Sequence, residues 1–223
     1  MTRHDITRRR IGNEAEPLVI IDGFADNPDG LRMAAEEATF VAAGQHYPGI
    51  RAPLPDTYLR DHLPRIARAL GRDFGPCRRI RVVAAQFSLV TMAPDALEIR
   101  QRLPHVDAYG RDRIAFIHYL SPTNSDGTAF FRHRDTGFET IDDTRAPTFF
   151  ERLGHLVEAI PPLGYITDDT ALFERTALID AAYNRALLYR SYVLHSGAIT
   201  SDAVLSADPS VGRLTITAFL AIE

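Results

Sequence analysis

The chain has no lysine, no tryptophan and one cysteine, Cys77, among its 223 residues. Without lysine there is no Schiff-base nucleophile, no pyridoxal-phosphate anchor and no P-loop lysine. A single cysteine excludes disulfide frameworks, iron–sulfur clusters and cysteine-rich zinc sites; within GPCRRIR it reads as packing. No run of about 18 apolar residues is present, which argues against a membrane-spanning helix. MTRHDITRRR at the start has no apolar stretch behind its basic residues, unlike a secretory leader, so a cytoplasmic location is the expectation. All 25 basic residues are arginine, set against 29 acidic ones, for a formal charge of −4. That balance argues against bulk nucleic-acid binding.

Apolar residues make up 45% of the chain, enough for a core at this length. One domain spanning 1–223 is expected. In it, residues 1–76 supply an N-terminal strand and supporting helices, and 77–223 a β core with a helical insert near 138–184. Arg8, Arg9 and Arg10 read as a solvated, mobile tail. PLVIIDGF (17–24) is a short apolar strand ending in a turn. Asn27 and Pro28 look like an N-cap and first helical position, opening a helix to about residue 43. GQHYPGIRAPLP (44–55), with its glycines and prolines, reads as loop. A second helix is expected over 56–74, with Pro64 as a point of kinking.

Beyond residue 78 the texture is β-prone. Strands are expected within 78–92, at 113–120 and 127–134 with the turn-rich SPTNSD between them, and at 185–195 and 213–223. RAPTFFERLGHLVEAI and DDTALFERTALIDAAY (168–183) look helical. Many short strands with turn signals suggest a sandwich, jelly roll or barrel.

With cysteine unavailable, histidines are the natural metal ligands. Two precede an aspartate by two residues: His105-Val106-Asp107 and His133-Arg134-Asp135. In an extended chain, residues i and i+2 share a face, so either pair can present an imidazole and a carboxylate to one ion. The first lies just before an apolar strand. His195 lies at the end of another. Two histidines and one carboxylate form the facial triad suited to non-haem Fe(II); the bland alternative for His195 is a hydrogen-bonded core histidine. His133 and Asp135 sit among Arg132 and Arg134, which disfavour a divalent ion. Those two arginines are either strand-surface charge or a wall facing an anionic substrate. In the last strand, Arg213, Thr215 and Thr217 share one face and Leu214, Ile216, Leu220 and Ile222 the other. An inward Arg with a hydroxyl two residues on is a good carboxylate clamp.

His-x-Asp, a distal His and Arg-x-Thr in this order resemble the Fe(II)/2-oxoglutarate-dependent oxygenases, in particular the prolyl-4-hydroxylase-like branch. PHVDAYGRDRIAFIHYLSP matches that branch's spacing from His-x-Asp to a Tyr-Leu strand, placing Tyr119 at its tyrosine, and GTAFF (127–131) resembles the strand that follows. HYPGIRAP, GTAFFRHRDTG and NRALLYRSYVLHSG resemble segments of a bacterial branch of that family without known function. The resemblance covers most of the chain. It implies a mainly β, α+β architecture with a double-stranded β-helix (jelly-roll) core. It also implies iron held by His105, Asp107 and His195, and 2-oxoglutarate bound through Arg213, helped by Tyr119 and Thr215. O2 is the further reactant, and hydroxylation of a C–H bond of a small molecule or a peptide or protein side chain is the implied activity. The segment between His195 and Arg213 is longer than the family's usual one. The HYPGIRAPLP loop (46–55), the 138–170 region and the 200–212 loop are candidate lids, and Tyr47, Arg51 and Tyr109 are candidate substrate contacts, with loop packing as the alternative for each.

Two other classes stay open. A cupin-like metal enzyme would use the same ligands without needing Arg213. A non-catalytic β-sandwich binding module would use none of them chemically.

Overall fold

Eleven strands and four α-helices are resolved in the computed structural model, which describes residues 5–44, 46–122 and 126–223. In chain order they are β1 (Asp5–Ile11), β2 (Glu16–Asp22), α1 (Pro28–Glu37), β3 (Val41–Ala42), β4 (Gly49–Pro53), α2 (Thr57–Asp73), β5 (Ile80–Val90), α3 (Ile99–Arg102), β6 (Arg113–Tyr119), β7 (Gly127–His133), α4 (Ala146–Ala159), β8 (Phe173–Asp180), β9 (Ala186–Arg190), β10 (His195–Gly197) and β11 (Arg213–Ile222). They form an eight-stranded sheet, β1-β2-β9-β6-β11-β5-β4-β3, and a three-stranded sheet, β10-β7-β8. Every described strand pairing is antiparallel. None of the described helices is long and apolar enough to cross a membrane.

Strand alternation sorts the side chains into layers. Leu214, Ile216, Phe87, Leu89, Ile114 and Phe116 point to one face of the large sheet and join residues of α1 and α2 in the main core. The opposite face looks toward the small sheet. There Ala115, Tyr119, Leu187 and Tyr189 pack against Phe130 and Ile179. A third cluster, with Phe131, Phe149, Leu153 and Phe173, sits between the small sheet and α4. Helices thus seal the outer faces, and the two sheets enclose an inner space.

Several expectations change. The 168–183 segment is not helical: β8 occupies Phe173–Asp180 and pairs with β7. Its Ala, Leu, Glu and Arg favour helix intrinsically, but the open edge of β7 offers a ladder, and tertiary pairing outweighs propensity. The insert therefore contains only one described helix, α4. The basic run at Arg8–Arg10 is no mobile tail: it lies in β1, registered against β2, with Arg8 Nε 2.8 Å from Asp73. Charged residues on an exposed edge strand also discourage pairing with other chains. The 44–55 segment contains β4, which completes the sheet beside β5. Helix α1 ends at Glu37 rather than near 43. Its start is as expected, with the Asn27 side chain accepting from Gly30 N–H at 3.0 Å. Pro64 does not split α2, which runs unbroken to Asp73. Of the expected SPTNSD turn, residues 123–125 lie outside the described residues.

Candidate metal and anion site

Register builds the site. His105 and His195 face each other across an antiparallel bridge, each N–H donating to the other's carbonyl at 2.9 and 3.0 Å. Side chains of such a pair project on the same side, and their ring centroids are 4.6 Å apart. Asp107, two residues on, is held by its N–H to the Ser191 carbonyl at 2.8 Å. Its carboxylate lies 3.8 Å from His105 Nε2 and 3.4 Å from His195 Nε2. One donor atom from each of the three residues falls within 4.8 Å of the others. This is the one such grouping of His, Cys, Asp and Glu among the described residues.

Each ring is oriented from behind. His195 Nδ1 donates to the Val193 carbonyl at 2.9 Å, which leaves Nε2 with a free lone pair. The ring is packed edge-on by Tyr189 at 4.8 Å. His105 is hydrogen-bonded to the backbone of Leu103. Its side chain is 51% accessible and lines the cavity. Burial, then the neighbouring His195, pushes its pKa down to about 4, against the pull of Asp107. At neutral pH that imidazole is unprotonated, the form that binds metal. Two imidazoles and one carboxylate, grouped at a cavity wall, fit a non-haem iron site by donor chemistry.

The cavity, about 520 Å³, lies between the sheets. Cross-strand register sets its floor. Arg51 pairs with Ser88, Ser88 with Thr215, and Thr215 with Tyr119, so one row crosses four strands on one face. Arg213 lies one step along, opposite Val90, on the same inner face. The two-residue alternation read in the last strand thus holds in the fold.

Arg213 has a side chain only 10% exposed and is ion-paired through Nε with Asp126. Nη2 donates to the Gly127 carbonyl at 3.2 Å. Burial opposes its charge, but Asp126 and the nearby Tyr119 and Tyr47 more than offset this and raise its pKa. A guanidinium has five N–H donors, so its Nη1 edge stays available. The Tyr119 hydroxyl meets Thr128 Oγ1 at 2.7 Å, and burial raises its pKa to about 12. Thr215 Oγ1 donates to the Ser88 carbonyl at 3.3 Å. Thr215 and Thr128 line the cavity; Tyr119 stands behind Thr128.

Other candidates fall elsewhere. Arg132 is bound to Glu139 and Glu174, and Arg134 to Asp169. Neither lines the cavity, nor does Tyr109. His133 is buried against Phe149 and Phe173, with Nδ1 3.0 Å from Thr136 Oγ1, and Asp135 faces Arg152. Tyr47 and Arg51 do line the cavity. Asp126 and Thr128 escaped the sequence reading: a lone Asp before a Gly-rich strand start carries no motif of its own.

Residues 2–220 match the family of unknown function DUF6445. The chain belongs to DUF6445. No curated protein sequence matches this DUF6445 chain. Among solved structures it is similar to the non-haem alpha-ketoglutarate-dependent carbocyclase SnoK from nogalamycin biosynthesis, at TM-score 0.54 and 14% identity over 95% of this chain and 84% of that one. It is also similar to AviO1 from Streptomyces viridochromogenes Tue57 (0.50, 15%, 96% and 90%) and to HygX from Streptomyces hygroscopicus with iron bound (0.50, 12%, 94% and 83%). Identities this low speak to the fold alone. The fold of the DUF6445 chain is that of the Fe(II)/2-oxoglutarate oxygenases, with the jelly-roll core implied by the sequence resemblance.

Proposed function

We propose that this protein is an Fe(II)/2-oxoglutarate-dependent oxygenase that hydroxylates a C–H bond of a small molecule. The observation that carries this reading is the meeting of His105, Asp107 and His195 at the wall of a cavity that Arg213 also lines. His105, Asp107 and His195 would hold iron. The distal carboxylate of 2-oxoglutarate would take the open edge of Arg213, with the hydroxyls of Thr215 and Thr128 alongside. Bound iron and cosubstrate, with O2, supply the oxidising chemistry.

The chain's own residues supply orientation and enclosure. The Val193 carbonyl fixes the tautomer of His195, and the strand bridge sets its distance from His105. Asp126 aligns the Arg213 guanidinium from its Nε side. The two sheets on either side limit the access of water to the reacting position. Asp107 supports hydroxylation over halogenation, since a carboxylate occupies the place a halide would need. The same fold in SnoK serves a carbocyclase, so the position of the substrate carbon relative to the triad decides the outcome.

One observation favours a second reading. Asp126 already neutralises Arg213, as in a metal enzyme that needs no 2-oxoglutarate. Succinate release from 2-oxoglutarate under air separates the two. The oxygenase reading predicts Fe(II)-dependent release that falls at least about a hundredfold in Asp107→Ala. In Arg213→Ala the KM for 2-oxoglutarate should rise by a similar factor, with turnover recovered at high cosubstrate. Unchanged iron-dependent release in Asp107→Ala contradicts the reading. Iron binding without any succinate favours the second one.

A further inference from the structure

Four arginines line the cavity: Arg51, Arg100, Arg102 and Arg213. Three are committed within the protein. Arg102 donates to the backbone carbonyls of Leu97 and Pro162. Arg100 lies 3.3 Å from Glu98. Arg213 is held by Asp126 and Gly127. Arg51 differs. Among the described residues it has no ion pair and no hydrogen bond, and its Nε, like that of Arg213, is buried without a hydrogen-bond partner. Its guanidinium lies over the Tyr47 ring, 4.3 Å from the centroid. The Tyr47 hydroxyl, also buried, stands near Ser88 and Thr215 without completing a hydrogen bond.

A half-buried guanidinium without a counterion is costly. Its compensation comes first from Tyr47 and then from the charge of Asp107, which acts on Arg51 without forming an ion pair. The guanidinium thus has room for an anion of its own. The cosubstrate does not fill that room if it sits on Arg213. Arg51 is on β4 and Arg213 on β11, with β5 between them. Two strand spacings separate their backbones by roughly 10 Å, so the cavity has two cationic positions. Arg213 is the more enclosed, and Arg51, beside Tyr47 and Pro48, the more open. Val90, Ile117, Phe219, Ile166 and Ile199 supply apolar wall around them.

We infer that Arg51, with the Tyr47 hydroxyl, is a carboxylate-binding position for the substrate, and that the substrate is a small carboxylic acid with an apolar body. The inference rests on the oxygenase reading for the word substrate, and on Arg51 alone for the anion site.

The test compares 4-phenylbutyrate with 4-phenylbutyramide, titrated calorimetrically into anaerobic protein loaded with Fe(II) and 2-oxoglutarate. The acid should bind at least about tenfold more tightly than the amide, as a charge-assisted contact requires. Arg51→Gln should abolish that preference and Arg51→Lys should keep part of it. Both variants should bind 2-oxoglutarate within about twofold of wild type and melt cooperatively. Equal binding of acid and amide, no binding of either, or a preference that survives Arg51→Gln overturns the inference. So does a tenfold loss of 2-oxoglutarate affinity in Arg51→Gln, which would make Arg51 the cosubstrate's anchor. If wild type shows no joint binding of iron and 2-oxoglutarate, the oxygenase reading fails. The acid–amide comparison on metal-free protein then decides the anion site by itself, with an Arg51-dependent preference supporting it and no preference overturning it.

Discussion

His118 is a buried histidine whose neutrality is part of the fold. The Asn184 side-chain amide is oriented by Ala25, whose N–H donates to Oδ1 at 2.8 Å and whose carbonyl accepts from Nδ2 at 2.9 Å. Oδ1 then accepts from His118 Nε2 at 3.0 Å, so Nδ1 takes the Tyr58 hydroxyl proton at 3.2 Å. Burial pushes the pKa to about 3, from an ordinary value of 6.5. The unfolded chain therefore binds the proton more readily between those limits. This stability is intact above pH 6.5 and is lost as pH falls toward 3, by up to about 1.4 kcal/mol per pH unit. In urea titrations, the gap between wild type and His118→Gln should shrink from pH 7 to pH 4; a constant gap contradicts the assignment. Asp126 gives a second residue-scale prediction. Asp126→Asn leaves Arg213 buried without its counterion and should cost about 3 kcal/mol of stability. The freed cation should then bind 2-oxoglutarate more tightly, so the cosubstrate should raise Tm more in the variant than in wild type. Equal shifts would show that Asp126 does not compete for Arg213. The His105-x-Asp107 spacing and the alternation around Arg213 were legible because period-2 geometry needs no tertiary information. The partners Asp126 and Thr128 were not, since only the folded sheet brings them to Arg213 and Tyr119.

Among the elements, β4 shows how a glycine- and proline-rich stretch can be a strand. Gly49 sits against the backbone of β5, where a Cβ would collide with the Leu89 carbonyl oxygen. Pro53 falls at the strand's last position, where the lost N–H costs least. Gly49→Ala should push β4 off β5, lowering stability by about 1–3 kcal/mol and weakening anion binding at Arg51. Wild-type melting and binding in that variant would show that β4 does not set the cavity wall. The unlabelled glycine and prolines made this segment read as loop, because composition does not report a waiting sheet edge. The same holds for β8, whose helix-forming residues are recruited by the edge of β7, and for β1, whose charges suit an exposed edge as well as a tail. By contrast β5, β6, β7 and β11 are long apolar or alternating runs, and their strand character was plain from periodicity.

Across the molecule, two antiparallel sheets with helices on their outer faces flank the cavity, and chemistry-bearing side chains from both sheets reach it. The small sheet and its bridge bring His195 and His105. The large sheet brings Arg213, Thr215 and Arg51. The order of motifs along the chain suggested this convergence, and the register of β11 with β5 and β6 accounts for it physically. Joint binding of iron and 2-oxoglutarate in this cavity, as proposed, can be read from a visible spectrum. Anaerobic protein is titrated with Fe(II), then with 2-oxoglutarate. A weak charge-transfer band should appear that needs both components, is lost in His105→Ala and Asp107→Ala, and in Arg213→Ala returns only at high 2-oxoglutarate. Stoichiometric iron binding with no such band at any cosubstrate concentration would contradict it.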